Sequence, residues 1–207
     1  AELCIGFMIQ LLRNVEETQR QCRNGGTKDG LIGNLLHGKT VGIVGAGAIG
    51  KRVAELCRAF GCSVIAFNRS AVSHSAIDRQ VSLEELLREA DIVSLHCPLT
   101  EDTRGMIGEA QLGLMKRSAV LINTARGAVT DTEALARALN EGLIAGAACD
   151  VFETEPPIAA DHPLLHCPNT IVTPHIAFAS AESMEQRAEI VFENLYSWLD
   201  GKQVNVV

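Results

Sequence analysis

No stretch of this sequence approaches the roughly 20 consecutive apolar residues that a membrane-crossing helix needs, although 47% of its residues are hydrophobic. No basic segment running into an apolar one opens it, so no secretory leader is expected of these residues. Positive charge is not in excess. Lys and Arg number 18 against 25 Asp and Glu, a net charge of −7, the opposite of the basic footprint of nucleic-acid binders. No C-x-x-C pair is present, and the histidines show no zinc-ligand spacing beside Cys4, Cys22, Cys57, Cys62, Cys97, Cys149 and Cys167. Neither a metal site nor a disulfide framework is therefore expected. Cysteines scattered through apolar runs read as reduced thiols of a cytoplasmic protein. Internal repeats, linker-like boundaries and low-complexity tracts are also lacking. What remains is a globular chain of 207 residues, long enough to bury a sizeable core.

What is there is alternation. Apolar runs at 40–44, 63–67, 92–95, 119–123, 144–149 and 170–173 read as strands. Between them, 49–60, 82 to about 90, 108–115 and 131–140 read as helices, and 181–199 as a last long one stopped by Asp200-Gly201. Ser82-Leu83-Glu84-Glu85 is a capping box. Residues 1–23 read as one helix and the glycine-rich 24–37 as a loop. Strands apolar on every residue and separated by helices imply a parallel sheet covered on both faces. The expected fold is α/β, a doubly wound Rossmann-type sheet over 38–178, with an arm helix at 1–23 and a C-terminal helix at 181–200. Ligands of such sheets sit beyond the carboxyl ends of the strands.

The most informative segment lies there. Gly45-Ala46-Gly47-Ala48-Ile49-Gly50 follows the first strand and opens a helix, the context that makes G-x-G-x-x-G a dinucleotide-binding pattern. Gly45 permits the tight turn, Gly47 the approach of a pyrophosphate, and Gly50 close packing of helix on strand. The pyrophosphate would rest on unpaired N–H groups at the positive end of the helix dipole. A glycine-rich turn of another α/β protein is the plain alternative. The second strand ends in Asn68-Arg69-Ser70, where NAD-selective sites place Asp or Glu for the ribose 2′-OH. Asn would not repel a 2′-phosphate, Arg can pair with it, and Ser70 adds a hydroxyl. The cofactor is NAD or NADP, and these residues favour NADP; a solvated Arg69 in an NAD site stays open.

Three further segments each follow a strand: Asn123-Thr124-Ala125-Arg126-Gly127, Asp150-Val151-Phe152-Glu153-Thr154-Glu155-Pro156-Pro157, and Thr173-Pro174-His175-Ile176-Ala177. Singly, each has an ordinary explanation as a surface charge, a solvated loop or a structural histidine. Together, beside a nucleotide loop, they point to a site.

With these in view, the chain resembles the D-isomer-specific 2-hydroxyacid dehydrogenases, the family of phosphoglycerate dehydrogenase, D-lactate dehydrogenase and the glyoxylate and hydroxypyruvate reductases. The resemblance rests on GKTVGIVGAGAIG (38–50), LHCPLTEDTRGMI (95–107), INTARGAVTD (122–131), AACDVFETEPP (147–157), TPHIA (173–177) and WLDGKQVNVV (198–207). It implies hydride transfer between a nicotinamide and a D-2-hydroxy or 2-keto acid. It implies Arg126 as the substrate-binding arginine, His175 as the acid–base group, and Glu155, directly before Pro156, as its carboxylate partner; Glu153 is not at that position. It implies Asp150 against the nicotinamide carboxamide, Cys97, Pro98, Thr103, Thr124 and Ala125 along the cofactor, and Ala48 and Ile49 on the pyrophosphate. The chemistry suits the residue types. An oxygen gaining charge needs a proton, which histidine supplies near neutral pH. An arginine fork holds a carboxylate and stabilises the developing charge.

The resemblance further implies a homodimer through the arm helix and a substrate domain whose larger part precedes this chain. The chain opens inside a helix with no initiator Met or N-cap, which leads to the expectation of a fragment, by itself catalytically inactive. Two other classes of function stay open: a dimeric NAD(H)-sensing, corepressor-like binding protein, and a fragment that binds cofactor without catalysis.

Overall fold

Strands with no polar side can be covered only by helices on both faces, and the chain is built that way. The computed structural model describes residues 1–205; the last two residues of the tail motif, 206 and 207, lie outside them. In chain order the elements are α1 (Glu2–Leu12), α2 (Val15–Arg23), β1 (Thr40–Val44), α3 (Ala48–Ala59), β2 (Ser63–Phe67), β3 (Arg79–Gln80), α4 (Leu83–Glu89), β4 (Ile92–Leu95), α5 (Glu109–Leu112), β5 (Val120–Asn123), α6 (Thr132–Asn140), β6 (Gly146–Cys149), β7 (Thr170–Val172) and α7 (Ala181–Leu199). Among the described residues the sheet has the order β3-β2-β1-β4-β5-β6-β7, and its strands run parallel. The order reverses between β1 and β4, which is where a doubly wound sheet opens a crevice.

Side chains alternate across the sheet, and the core divides accordingly. Val41, Ile43, Val64, Ala66, Ile92, Val120, Ile122 and Ala148 pack with α1 and α3. Val44, Ile65, Val93, Leu95, Leu121, Ala147 and Cys149 pack with α4, α5 and α6. Gly42 is required in this layer, because a Cβ there would meet Leu86 Cδ2 at 2.5 Å. Polar caps start the helices. Ser82 Oγ accepts from Glu85 N–H, Asp131 from Ala134 N–H and Ser180 from Ser183 N–H, each satisfying a donor the helix leaves open.

Three expectations need correction. Residues 1–23 form two helices, with Asn14 between them in the left-handed region (φ 49°), which Asn tolerates better than most residues. The break has a tertiary cause. The Leu12 carbonyl, which a continuous helix would use, takes the N–H of Asn34 at 2.7 Å, and α2 has no buried residue to reward continuation. Second, the arm helix α1 packs within this chain. Phe7 and Met8 are fully buried in the chain's own core, each contributing about 1.5–3 kcal/mol, so its apolarity calls for no second copy. Third, the sheet has an unexpected strand, β3, of two exposed residues. Among the described residues no helix is long and apolar enough to cross a membrane. The seven cysteines are free. The helix α7 has no buried residue, and Phe192, Tyr196 and Trp198 are exposed on it.

Candidate functional site

The crevice between β1 and β4 is a cleft of about 460 Å³. The turn after β1 supplies Gly45 and Gly47, the end of β2 supplies Phe67, Asn68, Arg69 and Ser70, and the segment after β4 supplies His96, Cys97, Pro98, Thr100, Asp102, Thr103 and Met106. The glycines of the turn divide the work. Gly45 has φ +96°, and a Cβ on it would lie 2.7 Å from Cys97 N. On Gly50 a Cβ would lie 2.2 Å from the Gly45 carbonyl oxygen. Both are demanded by the protein itself. At Gly47 a Cβ would meet nothing within 4 Å, and no side chain caps the helix that begins there. An uncapped helix start facing open space is a cradle for an anion, so the residues present fit a dinucleotide pyrophosphate. Ile49 is largely exposed at the first turn of α3 and Gly50 is buried beneath it; neither they nor Ala48 line the cleft wall.

At the end of β2, Asn68 Oδ1 accepts the Ala46 N–H at 3.1 Å, and Asn68 Nδ2 donates to Ser70 O and Oγ, both at 3.1 Å. The amide thus ties the glycine turn to the loop bearing Arg69. After β4, His96 Nε2 lies 2.8 Å from Ser94 Oγ, and burial pushes its imidazole down from 6.5 to about 4. Burial raises the Cys97 thiol. Thr103 Oγ1 donates to Pro98 O at 2.7 Å and accepts the Thr100 N–H at 2.8 Å, fixing that wall.

The second group lies at the carboxyl ends of β5, β6 and β7, outside the cleft. The exposed Arg126 follows β5. Its loop is held by buried Asn123, whose Oδ1 accepts the Ala125 N–H at 3.0 Å and whose Nδ2 donates to Arg126 O at 3.1 Å. Gly127 lets the loop after β6 press onto it, since a Cβ there would sit 2.0 Å from the Phe152 carbonyl carbon. That loop carries Glu155, whose Oε2 is 2.8 Å from His175 Nδ1. His175 adopts φ 57°, a left-handed conformation that costs a side-chain-bearing residue about 1–3 kcal/mol and persists only where the surroundings enforce it. Asp150 enforces it. Its backbone carbonyl accepts the His175 N–H at 2.8 Å. Its Oδ1 accepts from Thr173 Oγ1 at 2.5 Å and Ile176 N at 2.8 Å, and its Oδ2 from Ala177 N at 2.8 Å.

The nicotinamide contact expected of Asp150 is not open in this geometry, because the residue is 0% exposed and both oxygens are engaged within the chain. Thr124 points its hydroxyl at Cys4 Sγ, 3.2 Å away, and Ala125 is buried; neither lines the cleft.

Residues without a role in the sequence reading complete the support. Thr132 Oγ1 donates to Glu153 Oε1, and Glu153 Oε2 lies 3.3 Å from His162 Nε2. Partial burial opposes the charge on Glu153, but the hydrogen bonds from Thr132, its own backbone and His162 outweigh it and hold the carboxyl below its ordinary range. This cluster staples the Glu155 loop to the start of α6, beside a shallow depression of about 450 Å³ that also includes Arg104 and Asp131. A Thr, a Glu and a His spread over 30 residues carry no readable spacing. Among the described residues no group of three or more His, Cys, Asp or Glu could hold a metal ion.

Comparison with known proteins agrees with the geometry. Residues 5–177 match the family described as D-isomer specific 2-hydroxyacid dehydrogenase, NAD binding domain. The glyoxylate reductase of Aeropyrum pernix is 48% identical over 177 residues, covering 83% of this chain and 52% of that protein. A solved acyclic imino acid reductase in complex with NADPH and D-Arg superposes with a TM-score of 0.93 at 35% identity, over 100% of this chain and 66% of its own. D-lactate dehydrogenase with NAD+ from Lactobacillus jensenii superposes with a TM-score of 0.88 at 32% identity, over 100% and 67%. The chain spans 52% to 64% of the length of the first three curated relatives it matches.

Proposed function

The chain belongs to the D-isomer specific 2-hydroxyacid dehydrogenase family, as its NAD-binding domain, and on that premise we propose that it serves an oxidoreductase interconverting a small 2-keto acid and a D-2-hydroxy acid. The observation that carries this reading is the 2.8 Å contact of His175 with Glu155 across 20 residues of chain, made by two loops, one braced by buried Asp150 and the other held by Glu153 on Thr132 and His162. A nicotinamide, when bound, supplies or takes up the hydride. The chain's own residues do the rest. Glu155 engages Nδ1 of His175, which orients the ring and leaves Nε2 free to give a proton to the carbonyl oxygen in reduction and take it back in oxidation. Arg126, after β5 on the far side of β6 from the His175 turn, offers the planar fork that holds the substrate carboxylate. A nucleotide-sensing protein, the competing reading, needs none of this geometry.

Several finer assignments belong to the same reading. NADPH is the preferred cofactor, supported by a neutral Asn68 where a carboxylate would repel a 2′-phosphate and by Arg69 on the cleft wall; Asp102 lines the same cleft from beyond β4, on the far side of β1. Residues 38–178 are the cofactor-binding core, and Cys97, Pro98 and Thr103 are the wall along the nucleotide. The substrate domain lies for the most part in the length of the relatives that has no counterpart here. The protein is a cytoplasmic homodimer, supported by the family resemblance and the exposed apolar side chains of α7 rather than by α1.

The test is His175→Gln in the enzyme carrying this chain, assayed with small 2-keto acids. Removing a general acid costs about 10²–10⁴-fold in kcat. Cofactor affinity should stay unchanged, because His175 lies outside the cleft. Undiminished turnover would overturn the acid–base assignment. For cofactor choice, Arg69→Ala should weaken NADPH about ten-fold or more, the worth of a charge-assisted contact, and leave NADH within about two-fold. Tighter binding of NADH than NADPH by the parent chain would overturn the NADPH preference.

A further inference from the structure

Residues 68–72, which carry Arg69 and Ser70, belong to no helix or strand, so something else must fix where the guanidinium sits. One side chain does most of it. Gln80 Oε1 accepts the Val72 N–H at 2.8 Å. Gln80 Nε2 donates to the carbonyls of Asn68 at 2.9 Å and Ser70 at 3.1 Å. One amide thereby holds three backbone groups on both sides of Arg69. Its own anchor is firm. The two-residue strand β3 pairs Gln80 with Ala66 on β2, the Val81 N–H donates to Ala66 O at 2.9 Å, and neighbouring Arg79 pairs with both Glu85 and Glu89 of α4. The mechanical line therefore runs from α4 through β3 and Gln80 to the Arg69 loop, and on through Asn68 to the Ala46 N–H of the glycine turn. Gln80 itself is not on the cleft wall.

We propose that Gln80 is a positioning residue for cofactor choice: by clamping residues 68–72 it presents Arg69 and Ser70 to a ribose 2′-phosphate. The proposal rests on the reading of Arg69 given above. Only a side chain with both a donor and an acceptor at this length makes all three bonds. Met keeps the size and has neither an N–H nor an oxygen. Glu keeps the acceptor, loses the donors and brings a negative charge beside the loop.

The experiment titrates the 207-residue chain with NADPH and with NADH by fluorescence, for the parent, Gln80→Met, Gln80→Glu, Arg69→Ala and the Gln80→Met/Arg69→Ala double variant. Gln80→Met should weaken NADPH about ten-fold while NADH changes by less than about two-fold. Gln80→Glu should move the ratio at least as far. In the Arg69→Ala background, Gln80→Met should add less than about two-fold, because a clamp that acts through Arg69 has nothing left to position. The salt dependence of NADPH binding should fall in Gln80→Met toward that of NADH, since the lost contact is between charges. A Gln80→Met ratio equal to the parent's, equal weakening of both cofactors, or full additivity with Arg69→Ala would each overturn the proposal. A parent that binds NADH more tightly would instead remove the NADPH preference; Gln80 would still stand or fall on whether its substitution moves the ratio.

Discussion

Gly47→Val separates what the glycine turn does for the protein from what it does for a ligand. Gly47 has φ −75° and ψ −162°, an extended conformation open to any residue, and its missing Cβ faces open space. It occupies the N-cap of α3, where an apolar residue in place of glycine costs up to about 1 kcal/mol. For a chain of this size that is roughly 2–4 °C in Tm. The branched side chain would stand where a pyrophosphate must approach the first-turn N–H groups. Two charge-assisted hydrogen bonds at about 1.5–3 kcal/mol each would be forfeited, so cofactor affinity should fall more than about 100-fold. Gly50→Ala is the control with the opposite signature. Its Cβ would lie 2.2 Å from Gly45 O, an overlap with backbone that cannot rotate away, and such overpacking costs about 1–3 kcal/mol or more. The assay pairs thermal melts with NADPH and NADH fluorescence titrations. The expected result is a near-parental Tm with lost binding for Gly47→Val, and a clearly lowered Tm for Gly50→Ala. Parental cofactor affinity in Gly47→Val would refute the assignment of this turn as the pyrophosphate cradle.

Asp150→Asn leaves the His175 turn with one acceptor oxygen fewer and no charge; it should destabilise the chain by about 1–3 kcal/mol, seen in urea unfolding, and lower turnover of the enzyme while cofactor affinity holds. An unchanged unfolding midpoint would show that the turn is held by other means. His96 gives a pH signature. Its folded value of about 4 against 6.5 means that between those pH values the unfolded chain binds the extra proton, so its contribution to stability falls as pH drops from about 6.5 and levels off near 4, a loss of about 3 kcal/mol. His96→Gln should flatten the stability profile by that amount over this window, and a slope equal to the parent's would refute the assignment.

Much of this protein was legible in its residues because the signals are local. Thr40–Val44, Ser63–Phe67, Ile92–Leu95 and Ala181–Leu199 are where the apolar runs and the final amphipathic stretch placed them, and Ser82 caps α4, although Glu85, the other half of the expected box, pairs with Arg79 instead. The glycine turn was readable because Gly45 and Gly50 answer steric demands within a few residues or across one strand. The break at Asn14 was not readable, because its cause, the Asn34 N–H on Leu12 O, comes from a segment 22 residues away. Nor was β3, whose two exposed polar residues have no pattern and exist as a strand only by pairing with β2.

The same division runs through the site. Sequence alone determined the sheet class, the glycine turn at the head of α3, and the identity of the titratable groups at the strand ends, since these follow from periodicity, chain sterics and side-chain chemistry. Tertiary structure decided which of those groups meet. It brought Glu155 to His175. It made Asp150 the buried brace of the His175 turn. It set Glu153 on Thr132 and His162, and Gln80 across the Arg69 loop. Each of these is a contact between segments remote in the chain. Its geometry depends on how the loops after successive strands are stacked by the sheet, and no spacing in one dimension encodes that.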